Sequence, residues 1–576
     1  MRGYGIAGRV VPLHSSCCLD IGLRSLAIER ACRDSPAAPW CGSWGDALRM
    51  HRSIGLVGLT FMAVSSIIGS GWMFAPLLAV QHAGPAAMVA WLVGGIAMLL
   101  IAITFAETSA MLPVPGGIAR VPQFSHGNVV ALVMGWTAWV GYNTAAPIEV
   151  EAMLRYLDPA SSWLYTAPRS GVLSWSGTAV AAGLLVFFTL INALGVRFLT
   201  YVNTTVTWFK IAIPVVIVVA LIASRFETSN FTSGGSFAPF GLQGVLAAIS
   251  SGGVIFCYIG FRHAVDMAGE TRNPGFTVPM ALILSILICF GVYGGIQFAF
   301  IGALEPGATA AGWAHLALPG DTGPIGAVAS ALGLLWLVSL LNAGAVIGPF
   351  GGALVYVGSN ARIAYALAED GLFPRIIGSL SRRGVPLAGL ILNLAVSTLV
   401  FIALPFTELV QLNSSAIVLS FVVGPIAVVA LRALMPDRRR PFRLPAVHLI
   451  AGTAFVISTL VVYWSGWDTI VRLGVCLAVG LVVLGFLALR PDRPPLDLAE
   501  AAWLIPYLLG IGVISYFGAF GGTGAIAFGW DILVITVFSV AIFIAAVRSR
   551  LSPEKANAYL SEEHRLELDN LDRAAV

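Results

Sequence analysis

The chain contains two lysines, Lys210 and Lys555, and one of them stands inside an apolar run. Lys210 falls within Thr204-Thr-Val-Thr-Trp208-Phe-Lys210-Ile-Ala-Ile-Pro214. An ammonium group among apolar residues is costly, and in a membrane segment it marks a function by default. A buried lysine can gain and lose a proton near physiological pH. The competing reading is snorkelling to an interface, because Lys210 lies about two turns from the expected start of its segment at residue 202.

Two further stretches could do chemistry through their backbone. The first reads Gly58-Leu-Thr-Phe-Met-Ala-Val-Ser-Ser-Ile67-Ile-Gly69-Ser70-Gly71-Trp72-Met-Phe-Ala-Pro76. Glycines on either side of a serine weaken a helix by about 1 kcal/mol each. A helix that unwinds there presents free N–H groups at the positive end of its second half, a site for an anion such as a carboxylate. The alternative is a small-residue packing patch. The second stretch reads Ser250-Ser-Gly252-Gly253-Val-Ile-Phe256-Cys257-Tyr258-Ile259-Gly260-Phe261-Arg262-His263-Ala-Val-Asp266. It is broken by glycines in its first half and at Gly260, and it meets charges while still long enough to lie in a membrane. Interrupted segments at corresponding positions of two halves point to the binding site of a secondary transporter.

The elements that must position these residues follow from composition. Of 576 residues, 58% are hydrophobic and 10% charged, whereas a soluble domain carries roughly 25% charged residues. Spanning helices need about 20 mostly apolar residues each. Such segments can be read at 54–80, 83–112, 129–155, 175–195, 202–223, 242–268, 278–303, 326–360, 386–405, 408–433, 446–466, 468–489, 501–518 and 528–548. Fourteen spans put both termini on one side. The breaks above fall in the first and sixth, Lys210 in the fifth. The 63 glycines suit close helix packing and interrupted helices.

Arginine sets the orientation. With a cytoplasmic N-terminus, the inside loops hold Arg120, Arg197, Arg272, Arg362, Arg375, Arg382, Arg383, Arg432, Arg438, Arg439, Arg440, Arg443, Arg490 and Arg493, and the outside loops far fewer, among them Arg169 and Arg225. That is the positive-inside bias. Both termini are therefore expected in the cytoplasm, with the chain in the cell (inner) membrane. Residues 1–50, rich in Arg and Pro and holding Cys17, Cys18, Cys32 and Cys41, lack the apolar core of a signal peptide. They read as a misassigned start or a disordered leader. Cys257, Cys289 and Cys476 read as small buried hydrophobes. Ser561-Glu562-Glu563-His564 opens a polar tail, read as an exposed helix with no specific role.

Four stretches resemble the amino acid–polyamine–organocation permeases. They are Ile68-Gly69-Ser70-Gly71 with Pro76; Phe105-Ala106-Glu107 to Pro113 with Pro115-Gly116-Gly117; Ile259-Gly260-Phe261 through Ala268-Gly269-Glu270 to Asn273-Pro274 and Pro279; and Ala361-Arg362 through Asp370-Gly371 to Pro374, with Gly384-Val-Pro386. The likeness covers roughly 54–450. It implies an all-α membrane protein with a leucine-transporter-like five-plus-five inverted-repeat core. The expected organisation is a transport core at 51–435, peripheral spans at 436–550 and a cytoplasmic tail at 551–576.

The resemblance also implies roles. The amides of Ser70 and Gly71, beside Gly69, would hold a substrate carboxylate; the carbonyls of Ile67, Phe256 and Ile259 would take its ammonium group; and the Phe256 ring would gate the pocket next to Gly260. In branches with a lysine at the place of Lys210, it replaces a sodium ion, which implies proton coupling or sodium-independent exchange. Many relatives carry an acid where this chain has Arg262. A fixed positive charge there would favour an anionic side chain, and the replacement resembles the aspartate–proton symporter branch. The alternative is an Arg262 paired to Asp266 at the next turn.

Other groups carry weaker readings. Glu107 is taken as structural rather than as part of a proton path, Glu149 and Glu151 as charges placed at the membrane interface with the outer vestibule as the alternative, and His82 and His126 as loop-edge residues. There is no G-x-x-x-x-G-K-[ST] loop, no Cys/His metal cluster, and no expectation of a cofactor, nucleic-acid partner or enzymatic activity. The expected function is secondary transport of an amino acid across the bilayer, by proton symport with a lean to aspartate and glutamate. The rivals are a neutral amino acid exchanger and a non-transporting nutrient sensor.

Overall fold

A computed structural model describes residues 52–560, apart from 158–162, 167–171, 234, 251, 306, 317, 319–322, 405–408, 410–412, 414–415, 418 and 490–494. The leader at 1–50 and Ser561-Glu562-Glu563-His564 lie outside the described residues. Among those described, helix is the regular structure throughout, with two isolated bridges beside it.

The first span is two helices, α1 (Leu56–Ile67) and α2 (Ala75–Ala83), separated by bends and a 3-10 turn at Gly71–Met73. Then come α3 (Ala87–Met111), α4 (Gly117–His126), α5 (Asn128–Leu157), α6 (Trp175–Ala193) and α7 (Val196–Ser224). The sixth span is α8 (Gly241–Ser250), α9 (Val254–Tyr258), a 3-10 turn at Ile259–Arg262 and α10 (His263–Asp266), bent by 40° between its halves. Gly253, at φ +80°, takes a conformation that L side chains rarely adopt and starts the second half. The chain continues as α11 (Pro274–Ala303), α12 (Gly323–Ala331), α13 (Leu335–Glu369), α14 (Leu387–Ala403), α15 (Val423–Leu434), α16 (Val447–Trp464), α17 (Trp467–Ala488), α18 (Leu504–Phe517), α19 (Trp530–Arg548) and α20 (Pro553–Tyr559).

Among the described residues, seven stretches of helix are long and apolar enough to cross a membrane, or eight with the bent sixth span, and four shorter apolar helices accompany them. The chain is a multi-pass membrane protein. Its outward faces are apolar where a soluble protein would be charged: Trp208, Phe209 and Val219 on α7 and Val537 on α19 are all exposed.

The four stretches of family likeness fold onto one another. Gly116, at φ +65°, lies so close to α13 that a β-carbon there would be 2.5 Å from the Arg362 carbonyl oxygen. The Gly116 amide donates to the Asp266 carbonyl at 2.9 Å. A β-carbon on Gly269 would meet Pro115 at 2.6 Å. Arg362 then clamps the third stretch to the fourth: Nε and Nη2 donate to Glu270 at 2.6 and 3.1 Å, and Nη1 to the Gly358 carbonyl at 2.9 Å. Both side chains are buried. Arg362 therefore belongs to a helix interior, not to an inside loop; α13 runs on to Glu369 because the charge is neutralised by a partner across the core.

Glu107 has the structural role expected of it. Its carboxylate accepts from Arg432 Nε and Nη2 at 2.8 and 2.6 Å and from the Leu444 amide at 2.7 Å. His126 ends α4 at the turn before α5, as expected of a loop-edge residue, but it is buried there, its Nε2 2.9 Å from the Ala546 carbonyl. The helix α20 docks against the turn between α4 and α5: Leu551, Ala556 and Leu560 are buried against Phe124 and Val121. Asp497 accepts there from the Asn128 amide at 3.2 Å and from the Tyr559 hydroxyl at 2.5 Å.

Breaking one side of a buried, bidentate ion pair leaves a bare charge and costs about 3–5 kcal/mol. Glu270→Gln and Arg362→Ala are each expected to lower the unfolding midpoint sharply. Fluorescence-detected size exclusion after heating measures this; midpoints equal to wild type would contradict the clamp.

Candidate functional site

The two breaks meet. A β-carbon on Gly260 would lie 2.5 Å from the Ser66 carbonyl carbon and 2.6 Å from the Ile67 nitrogen, so only glycine lets the sixth span approach the first so closely. Gly71 faces the same neighbour, with Cys257 Sγ and the Phe256 ring at 3.3 and 4.0 Å from its would-be β-carbon. On the other side a β-carbon on Gly348 of α13 would come within 3.0 Å of the Gly69 carbonyl oxygen. The unwound segment thus runs in a slot between the sixth span and α13, as irregular backbone at membrane depth must.

Its polar groups find partners from several helices. The Ile67 carbonyl accepts from the Tyr293 hydroxyl of α11 at 2.6 Å, and the Ser66 carbonyl from the Tyr356 hydroxyl of α13 at 3.2 Å. The Phe256 carbonyl accepts from the Ile259 amide. Ile67 and Ile259 are buried, while Ser70, Gly71 and Phe256 are partly accessible. The expected site residues of the first and sixth spans are therefore brought together, Ile67, Gly69, Ser70 and Gly71 on one strand of the slot, Phe256, Ile259 and Gly260 opposite.

Lys210 does not snorkel. The helix α7 starts at Val196, so Lys210 is fourteen residues in, about 21 Å along the axis. Trp208 and Phe209 face outward at 60% and 54% exposure, which turns Lys210 inward, where it is 2% exposed. Its Nζ donates to the Ser65 carbonyl and lies 3.2 Å from Ser65 Oγ, at the last turn of α1. A β-carbon on Gly351 of α13 would sit 3.1 Å from the same nitrogen. The ammonium is thus held between α1, α7 and α13.

Glu149 was not expected here. Read in the sequence as an interface charge, it is buried, and its carboxylate reaches into the break: the Ser70 amide donates to Oε2 at 3.1 Å. It packs against Gly69 and, at 3.3 Å from a would-be β-carbon, against Gly352. Lys210 is the charge that faces it. The amide assigned to a substrate carboxylate therefore already holds a carboxylate of the protein's own. The signal available in the sequence was an acid within an apolar helix, the same signal that singled out Lys210.

Arg262 sits below Gly260, buried, with its guanidinium over the Tyr142 ring at 4.1 Å and Nη1 donating to Ser420 Oγ at 3.0 Å. Asp266 is not its direct partner. The Asp266 carboxylate accepts instead from the Tyr142 hydroxyl at 2.7 Å, so one tyrosine lies between the two charges.

If Gly260 carries the approach of the two spans, Gly260→Val abolishes substrate uptake with the protein still in the membrane. Gly294→Ala on α11, which meets nothing within 4 Å, leaves uptake near wild type. Radiolabelled uptake normalised to surface expression measures both, and full activity of Gly260→Val would refute the contact.

The chain matches the amino acid permease family over residues 54–492. It is 33% identical over 516 residues to the glutamate/serine transporter AimA of Bacillus subtilis, a match that covers 88% of this chain and 95% of that one. It is 34% identical over 504 residues to the aspartate-proton symporter of the same organism, covering 86% and 95%. The branched-chain amino acid permease BcaP of B. subtilis is 28% identical over 450 residues, covering 75% and 92%. The family match over most of the chain, and relatives named as transporters that align along nearly their whole length, lead to one conclusion: the chain belongs to the amino acid permease family and is a transporter rather than an enzyme.

Proposed function

We propose that this protein takes up acidic amino acids, aspartate or glutamate, by symport with protons. The observation that carries the reading is the meeting of Gly260 with the Ser66–Ile67 backbone beside a buried Lys210. Substrate binds at the slot between the breaks, its carboxylate on the Gly71 amide beside Gly69 and, as it displaces Glu149, on the Ser70 amide, and its ammonium group on the carbonyls of Ile67, Phe256 and Ile259. Phe256 closes over it, Gly260 keeps the two spans together, and Arg262 favours an anionic side chain. A relative named for glutamate and serine and another named for aspartate–proton symport support both the substrate class and the coupling ion.

The slot lies in a five-plus-five inverted-repeat core at 51–435, flanked by peripheral spans at 436–550. Fourteen spans leave both termini, with the tail at 551–576, in the cytoplasm of a cell whose inner membrane holds the protein. Each of the fourteen apolar segments contains a helix, which supports that count. Lys210 couples the proton. Charged, it holds the end of α1 through Ser65 and faces Glu149; neutral, it releases that end, and the core can open to the other side. Binding of substrate to the breaks and protonation of Lys210 thus act on the same joint.

Proteoliposome uptake of labelled aspartate, alanine and arginine under an imposed pH gradient tests this. Wild type is expected to concentrate aspartate and not arginine. Lys210→Ala is expected to lose gradient-driven uptake, and Arg262→Glu to lose preference for aspartate by about tenfold or more, the effect of roughly 1.4 kcal/mol. Gradient-driven uptake that survives Lys210→Ala removes the lysine from coupling. Uptake confined to preloaded vesicles, indifferent to pH, makes the protein an exchanger.

A further inference from the structure

Below the break lies a second group of buried polar atoms that the reading above leaves unused. His263 is 0% exposed, and neither Nδ1 nor Nε2 has a hydrogen-bond partner. Arg262 Nη2 and Asp266 Oδ1, both in buried residues, are also without one. A buried polar atom left unpaired costs about 1–3 kcal/mol, so four within five residues call for a ligand or a change of charge state.

These atoms connect to the break through aromatic rings. Tyr356, whose hydroxyl holds the Ser66 carbonyl, packs edge-on against the His263 ring, centroids 4.9 Å apart. His263 in turn stacks on Tyr142 at 4.7 Å, and Tyr142 donates to Asp266. The charges that face His263 are Arg262 and Asp266 on its own segment, with Tyr142 from α5 and Tyr356 from α13. The helices α1 and α11, packed against it, carry no Asp, Glu, His, Lys or Arg. Arg120 on α4 and Glu107 on α3 are closed on Asp370 and Arg432, and Arg362 on α13 on Glu270.

The cluster is electrically balanced as it stands, one guanidinium against one carboxylate with Tyr142 between them. A substrate side-chain carboxylate that reaches Arg262 adds one negative charge to a buried, neutral group, and an uncompensated charge in such a place is strongly unfavourable. Two groups there have an open acceptor, Asp266 Oδ1 and the His263 ring, and the ring is the one packed between Tyr142 and Tyr356, the tyrosine that holds the break. Taking one proton from the aqueous phase on a ring nitrogen turns imidazole to imidazolium and restores the balance; giving it back as substrate leaves completes the cycle.

We propose that His263 is a second proton site, separate from Lys210, that takes up one proton for the side-chain carboxylate of an acidic substrate. This rests on the substrate reading above and adds to it: glutamate travels with one more proton than serine, whose side chain is neutral. Neutral and acidic substrates then move the same net charge.

The test is the proton-to-substrate ratio in proteoliposomes, read from the pH gradient that just nulls net flux at a clamped membrane potential. Glutamate and serine are the substrates. In wild type the glutamate ratio is expected to exceed the serine ratio by one, and His263→Gln to bring the two together. Equal ratios in wild type, or an extra proton that persists in His263→Gln, overturn the proposal. If His263→Gln does not fold, proton uptake by wild-type protein in weakly buffered detergent solution decides, since glutamate and serine must then differ by one proton per molecule bound. Should glutamate neither bind nor move, the substrate reading falls and the proposal with it; glutamate transport without the extra proton defeats the proposal alone.

Discussion

Backbone that leaves a helix inside a membrane has no water to bond with, and every freed group must be met by protein. That constraint organises the centre of this permease. The segment from Ser65 to Ser70 is held by two tyrosine hydroxyls, a glutamate carboxylate and a lysine ammonium, drawn from α11, α13, α5 and α7. Four helices are therefore fixed relative to one short stretch of chain. The glycines at 260, 348 and 351 follow from the same need, because side chains there would push the surrounding helices off the segment they satisfy.

Much of this was legible in the sequence. A glycine on either side of Ser70 is a local signal, and the break sits where it was expected. Lys210 was legible for the same reason, one charge in an apolar run. What misled was the edge of the run. The expected segment begins at 202, after Arg197 and Thr200, whereas the helix carries on back through both to Val196. Arg362 was assigned to a loop by its charge alone, and only its bond to Glu270, ninety-two residues away, explains its place in a helix.

Glu149 and the Arg262 cluster mark where sequence reasoning stops. Whether an acid late in an apolar helix faces lipid headgroups, a vestibule or a break is decided by helix rotation, and periodicity is weak in a helix that is apolar all round. The alternative of Arg262 paired directly with Asp266 followed from spacing along one helix, but the chain between them is a 3-10 turn followed by a short helix. The tyrosine of another span comes between the two charges instead.

The bonds that hold the broken segment differ in kind from one side to the other. Tyr293 and Tyr356 offer neutral phenols, and exchanging such a bond for another changes the free energy by only about 1 kcal/mol. Lys210 and Glu149 hold the same stretch by charge-assisted bonds, roughly twice as strong. The segment therefore behaves as a seam with a strong edge and a weak one. Under load it parts from α11 and α13 before it parts from α5 and α7, and that order of failure is built into the chemistry of four side chains.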